Sequence, residues 1–211
     1  MRFVGIDPAT KTGFVALDEQ GNVLVETEVI GSGKKMKGGL TTEQLVSLEN
    51  QVYKLLKPGD IIAIEQPAMG TQSGVTTGMI HGGLRSMIYR KGLDFIDVNP
   101  QRTKKFVNVG RVPSKVKKKA MEAAALDHFG YEHPSDNVTD AYIIARIAEA
   151  VYRVRKGLRA LASYMIYQGE VITAIADPTT AKKPKPKSNK RPGKPAAAGS
   201  HTHSTEQQFL F

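Results

Sequence analysis

Short apolar runs separated by turn-forming residues divide the chain into alternating strands and helices. Residues 3–6 and 14–17 are apolar, and between them lie Pro8, Thr10, Thr12 and Gly13, residue types that suit a turning chain. This predicts a hairpin. Residues 23–30 are β-branched and partly alternating after a Glu-Gln-Gly-Asn turn, which predicts a third antiparallel strand. Leu45, Leu48, Val52, Leu55 and Leu56 follow helical spacing from a start at Thr42 to a stop at Lys57-Pro58-Gly59. Residues 60–65 carry a continuous apolar run, as a strand covered on both faces does. Residues 74–90 read as a helix whose Gly78, Gly82 and Gly83 permit close approach of another backbone, and residues 93–98 as a strand closed by Asn99-Pro100. Pro113 and Ser114 open a helix running to Phe129. Ser135 or Asp136 caps the next, whose apolar face continues through Ile143, Ile144 and Ile147.

Beyond Gly157 the pattern weakens, and residues 158–176 read as a short helix followed by an edge strand over 170–175. Residues 177–206 are largely Lys, Pro, Ala, Ser, Thr and Gly, with little to bury, a composition expected to be disordered. The order of elements suits an α/β domain: a mixed five-stranded sheet with helices on both faces. We therefore expect one domain over residues 1–155, an extension of it over 156–176, and a basic tail over 177–211.

Charge sharpens this picture. The formal net charge is +10, from 30 Lys and Arg against 20 Asp and Glu. The tail holds seven Lys or Arg and two Asp or Glu, so about half of the excess lies there. The rest is concentrated: Arg102, Lys104, Lys105, Arg111, Lys115, Lys117, Lys118 and Lys119 fall within 18 residues that contain no acid. A solvated helical face normally mixes signs, so this stretch reads as a phosphate-binding surface. The chain has no cysteine, which excludes disulfides and thiolate metal sites. It has neither the apolar segment of a signal peptide nor a run of about 18 apolar residues. The expectation is a protein of the cytoplasm with no membrane segment.

Candidate chemistry lies in four carboxylates. Asp7 and Glu65 each end an apolar strand just before a proline, and Asp136 and Asp140 lie one turn apart at a helix start. An aspartate there often caps its own turn or complements a helix dipole. Asp140 resists that explanation because it borders the apolar stripe that must face the sheet. Four anions brought together repel one another unless cations neutralise them. Hard oxygen donors without His or Cys suit Mg²⁺ or Mn²⁺. Two such ions about 4 Å apart stabilise the attacking and leaving oxygens of a phosphodiester displacement.

The residues 5–13 (Gly-Ile-Asp-Pro-Ala-Thr-Lys-Thr-Gly), 64–67 (Ile-Glu-Gln-Pro) and 136–141, anchored by Asp140-Ala141, together resemble the motifs of the RuvC family of Holliday-junction resolvases. The likeness is to its shorter phage and plasmid-type members, within the RNase H-like superfamily, and covers roughly residues 1–155. It implies an RNase H-like fold, four acids (Asp7, Glu65, Asp136, Asp140) holding two Mg²⁺ or Mn²⁺ ions, and a homodimer. It also implies paired nicking of a four-way DNA junction, that is, a crossover junction endodeoxyribonuclease of a bacterial or phage-infected cytoplasm. Lys104 and Lys115 match the family's DNA-contacting positions best. The family often spaces its last two acids by three residues. That spacing puts Asn137 where an acid is expected, so either Asp136 or Asn137 completes the set.

The chain ends Gln207-Gln208-Phe209-Leu210-Phe211. Gln207, Leu210 and Phe211 resemble the bacterial sliding-clamp-binding peptide, here on a tether of about 30 residues with a reach of roughly 30 Å. His201 and His203 are read as incidental. Two rivals share these features. Actin-like and sugar-kinase ATPases open similarly but need two such domains. A catalytically inactive junction-binding or clamp-recruited adaptor keeps the basic stretch and tail but has no use for four acids.

Overall fold

The computed structural model describes residues 1–34, 36–37, 39–67, 74–110 and 112–177. Five strands form one sheet: β1 (Arg2–Asp7), β2 (Lys11–Leu17), β3 (Val23–Ile30), β4 (Asp60–Glu65) and β5 (Phe95–Val98). Their order is β3-β2-β1-β4-β5. β1, β2 and β3 are antiparallel neighbours, whereas β4 runs parallel to both β1 and β5. The mixed five-stranded α/β sheet expected from the sequence is therefore the observed one.

All six residues of β1 are buried, because the strand is covered on both faces. Val4 and Ile6 pack under α1 (Thr42–Leu55) and α2 (Gly74–Arg90), with Leu48, Val52, Leu84 and Ile88. Phe3 faces the opposite layer, whose centre is α5 (Asp136–Arg155) and whose flanks include α4 (Ser114–Phe129) and α6 (Ile166–Ala176). By the alternation of a strand, Gly5 and Asp7 share the face of Phe3, and Glu65 shares the face of Ala63, which belongs to the same layer.

Contact between α5 and the sheet is unusually close. A Cβ on Gly5 would stand 2.0 Å from the carbonyl oxygen of Ala141, and one on Gly13 would stand 2.0 Å from that of Asn137. The helix backbone thus rests on the β1–β2 hairpin with no side chain between. At the far end of β1, Arg2 donates from Nε and Nη2 to both oxygens of Asp60 (2.9 and 2.7 Å) and from Nη2 to the Leu55 carbonyl (2.9 Å). This buried bidentate pair fixes the register in which Arg2 lies opposite Asp60 and Ile6 opposite Ile64. One residue further on, the strands end in Asp7 and Glu65.

Three elements depart from the sequence reading. β5 begins at Phe95 rather than 93, after a turn with Gly92 at φ +74°. Asn99-Pro100 ends the strand, and it also starts a helix. The Asn99 side chain accepts from the Gln101 amide (2.9 Å) and Pro100 occupies the first turn of α3 (Pro100–Phe106). The edge strand expected over 170–175 is instead part of α6. Gln168, Val171, Ile172 and Ile175 are its buried residues, a spacing of three and four that seats one helical face in the core. Burial outweighs the strand preference of the β-branched residues there. A 3-10 turn (Leu161–Ser163) precedes it. Among the described residues, no helix is long and apolar enough to cross a membrane.

The two glycine contacts give a direct test. Gly5→Ala and Gly13→Ala are each expected to lower unfolding free energy by about 3 kcal/mol or more, since the added carbon meets backbone that cannot move aside. Gly82→Ala, on an exposed stretch of α2 where a Cβ would meet nothing within 4 Å, is expected to raise it by about 0.5–1 kcal/mol. Urea unfolding of the three variants checks both signs.

Candidate active site

The ends of β1 and β4 and the first two turns of α5 converge. Asp7 is buried, with 9% of its surface exposed, and Glu65 and Asp140 are half-buried. Asp140 Oδ1 is buried and has no hydrogen-bond partner. Burial pushes the Asp7 carboxyl well above the ordinary range, and the charges of Glu65, Asp140 and Asp136 push it further. Glu65 is raised to about 7, first by burial and then by Asp140, against the opposing pull of Thr103, Lys104 and Lys117. Asp140 is raised to about 6 by burial, with Asp136 adding and Lys117, Lys104 and Lys118 opposing. These are the signs of carboxylates crowded together in a place short of water.

Asp136 stands apart. It pairs with Lys118 (2.5 Å), and its side chain is 36% exposed. Asn137 is turned to β3, where its Nδ2 donates to Glu28 Oε1 (3.1 Å). Ser135 caps α5 by accepting from the Val138 amide (3.3 Å) while its hydroxyl donates to the same Glu28 oxygen. Glu28 thereby moors the helix end that carries Asp136 and Asp140. The Ser135 hydrogen bond, foremost, holds its carboxyl below the ordinary range.

Two further groups support Glu65. Thr103 Oγ1 donates to Glu65 Oε1 (3.3 Å) from α3. Arg85 of α2 donates from Nη2 to the Glu65 carbonyl (2.9 Å) and to Asp97 Oδ1 (2.7 Å), and its Nη1 lies 2.8 Å from His81 Nδ1. His81 is buried and its basicity is lowered to about 4, by burial and then by Arg85, so the ring is neutral and Nδ1 accepts. Sequence reading passed over both groups: the residues noted in α2 are its glycines, and no element is expected between Pro100 and Pro113.

The basic stretch divides. Lys104 and Lys117 reach the acids from α3 and α4, and burial together with the nearby Lys117 lowers the basicity of Lys104. Lys118 is taken up by Asp136, and Lys105 pairs with Glu170 of α6. Lys115 and Lys119 are exposed and Arg102 half-buried, with no electrostatic tie to the carboxylates. Arg111, Gln207, Leu210 and Phe211 lie outside the described residues.

Comparison with solved structures places the fold. The chain is similar to the Thermus thermophilus RuvC structure, with a TM-score of 0.55 and 17% identity over 74% of this chain and 97% of that one. It is similar to T. thermophilus RuvC in complex with Holliday junction substrate, with a TM-score of 0.55 and 15% identity over 74% and 96%. The chain has the RuvC fold. No protein-family model matches it, and no curated protein matches it in sequence.

On this RuvC fold the crowded acids make a pH signature. Glu65 and Asp140 titrate above their ordinary values, so the stability they permit is full near pH 4 and is lost as pH rises through 6 to 7. In EDTA, Glu65→Gln is expected to be more stable than the parent by roughly 1–3 kcal/mol at pH 8 and to differ little at pH 4.5. Thermal melts across that range measure it; a parent whose stability rises from pH 5 to 8 contradicts the assignment.

Proposed function

We propose that this chain is a divalent-metal-dependent endonuclease that nicks branched DNA, the four-way junction foremost. The observation that carries the reading is the meeting of Asp7, Glu65 and Asp140 from three distant segments, where Asp140 raises both Glu65 and Asp7 and Glu65 raises Asp7, around a buried Asp140 oxygen with no partner. The donor set fits Mg²⁺ or Mn²⁺: carboxylate oxygens only, in excess of local positive charge, with one oxygen unsatisfied. Among the described residues no three His, Cys, Asp or Glu side chains already stand in a metal-ligating array. Binding therefore calls for rotation of at least one carboxylate.

In this reading Asp7, Glu65 and Asp140 hold two ions, with Asp136 completing the set on release from Lys118. Such ions offset the charge that develops on the attacking and leaving oxygens of phosphodiester hydrolysis. The protein's own groups do the rest. Thr103 and Arg85 hold Glu65, Glu28 holds the start of α5, and Lys104 and Lys117 receive the phosphate beside the acids. Lys115 and Lys119, with Arg102 and Lys105, extend the cationic surface that a branched substrate needs, and the part of Arg111 in DNA binding rests on sequence. RuvC of T. thermophilus has been solved on Holliday junction substrate, and the shared fold supports the same substrate class here. Paired nicks call for two sites related by a two-fold axis, so the working form is a homodimer. The phage or plasmid-type assignment, the residue 1–155 catalytic domain with its 156–176 extension, the bacterial or phage-infected cytoplasm as its setting, and docking of residues 207–211 on a sliding clamp rest on sequence.

A second reading is a DNA-binding adaptor that has lost cleavage, which keeps the basic stretch over residues 102–119 and has no use for the acids. Asp7→Asn and Asp140→Asn separate the two. Cutting of a labelled four-way junction in Mg²⁺ is expected to fall by about a hundredfold or more in each, with junction affinity within about twofold of the parent. EDTA should abolish parental cutting. Equal cutting by the variants removes the metal site as assigned; a parent that binds the junction without cutting favours the adaptor.

A further inference from the structure

Two cavities on the α3–α4–α6 side lie end to end. The first, about 920 Å³, begins at Lys104 and Lys117, the two lysines that face the acid cluster, and extends past Lys105 and Asn108 to Tyr167. The second, about 440 Å³, starts at the same Asn108 and Tyr167 and runs past His128 to Arg159 and Tyr164. Asn108 and Tyr167 wall both cavities, so the two adjoin, and we read them together as a groove leading away from the candidate active site. Its far half is walled by residues of α3, α4 and α5 and by Arg159, Tyr164, Met165, Tyr167 and Gln168, which lie beyond the 1–155 region of motif resemblance.

The lining has a chemistry of its own. The walls carry Lys104, Lys105, Lys117, Arg146 and Arg159 and the carboxylates of Asp127 and Glu149, and Lys105 is itself paired with Glu170. Glu149 is already held by Arg146 (3.3 Å) and Arg153 (2.9 Å), and Asp127 points largely to solvent. Lys104 and Lys117 are brought against each other, an arrangement of like charges that an anion between them relieves. Rings stand among these cations: the Tyr167 hydroxyl meets His128 Nε2 (2.8 Å), which leaves the ring lining both cavities, and the Arg159 guanidinium lies 4.1 Å over the Tyr164 ring. Cations along a concave path with aromatic rings between them match the backbone and bases of an unpaired strand. The bases of a duplex are stacked inside and cannot reach such rings.

We propose that this groove is a track for a single DNA strand running from the acid cluster, with Tyr167 as the ring on which a base stacks and Arg159 as a phosphate contact at its far end. The proposal rests on the nuclease reading for its direction. It adds that the substrate presents an unpaired stretch next to the cleaved bond, as a branch point does on opening.

The test uses the full chain in EDTA and a fluorescein-labelled 20-nucleotide oligo-dT, read by anisotropy, beside a 20-base-pair duplex. Tyr167→Ala and Arg159→Ala are each expected to weaken oligo-dT binding about tenfold and duplex binding less than twofold. Tyr167→Phe keeps the ring without the His128 hydrogen bond and is expected to bind within twofold of the parent. Arg159→Ala should also reduce the slope of log affinity against log salt by about one. Arg159 is exposed, so that variant carries the test even where Tyr167→Ala disturbs the seating of α6. Parental oligo-dT affinity in both alanine variants, or an equal loss on duplex, overturns the proposal. Cutting of a four-way junction in Mg²⁺ by the parent is scored separately. Tyr167-dependent strand binding without cutting leaves the groove and removes the nuclease; cutting without that dependence does the reverse.

Discussion

The rest of this molecule depends on α5 lying directly on the β1–β2 hairpin. Gly5 and Gly13 supply no side chain, so helix backbone and strand backbone touch at Ala141 and Asn137. Spacing between a helix and a sheet normally leaves room for two layers of side chains. Here one layer is missing at the two points that flank Asp7. The helix start is drawn towards the strand ends, and Asp140 is brought near enough for its charge to be felt by Asp7 and Glu65. A larger residue at either glycine lifts α5 and separates the carboxylates, so packing and site are the same feature.

Holding the acids there has a cost, and the surroundings show how it is met. Arg85 and Thr103 grip Glu65, Glu28 grips the helix end, and Lys104 and Lys117 supply positive charge from two helices. These contacts offset part of the repulsion and leave part. The remainder is visible as raised carboxyl affinities for protons and as one buried oxygen without a partner. A fully compensated cluster would be a structural network. This one is under-compensated, which is the state expected of groups held in place for a cation.

Much of this was legible in the chain. The hairpin, β3, β4 and the long helices follow from periodicity, and Asp7 and Glu65 stood out because an apolar strand has no need to end in an acid. What was not legible arises from ambiguity or from convergence. Asn99-Pro100 stops a strand and starts a helix with the same residues, so α3 was hidden. The β-branched residues of α6 carry a strand preference that burial against α5 overrides. Thr41, not Thr42, caps α1 through a reciprocal arrangement with Gln44, a signal present in the sequence but displaced by one position. Selection of Lys104 and Lys117 from eight neighbouring cations depends on how α3 and α4 approach each other, which no local pattern encodes. The close passage over Gly5 and Gly13 is likewise a property of two segments far apart in sequence.

The two ends of the β1–β4 pair show opposite uses of buried charge within the length of one strand. At Arg2 and Asp60 a guanidinium meets both oxygens of a carboxylate, with the Leu55 carbonyl and the Lys57 amide taking up the remaining valences. Everything there is satisfied, and what results is register. Five residues further along the same two strands, Asp7 and Glu65 put like charge beside like charge. One end of the strand pair holds opposite charges and the other holds like charges. Like charge held at this end, where the other end holds a matched pair, is the arrangement that the proposed cation site calls for.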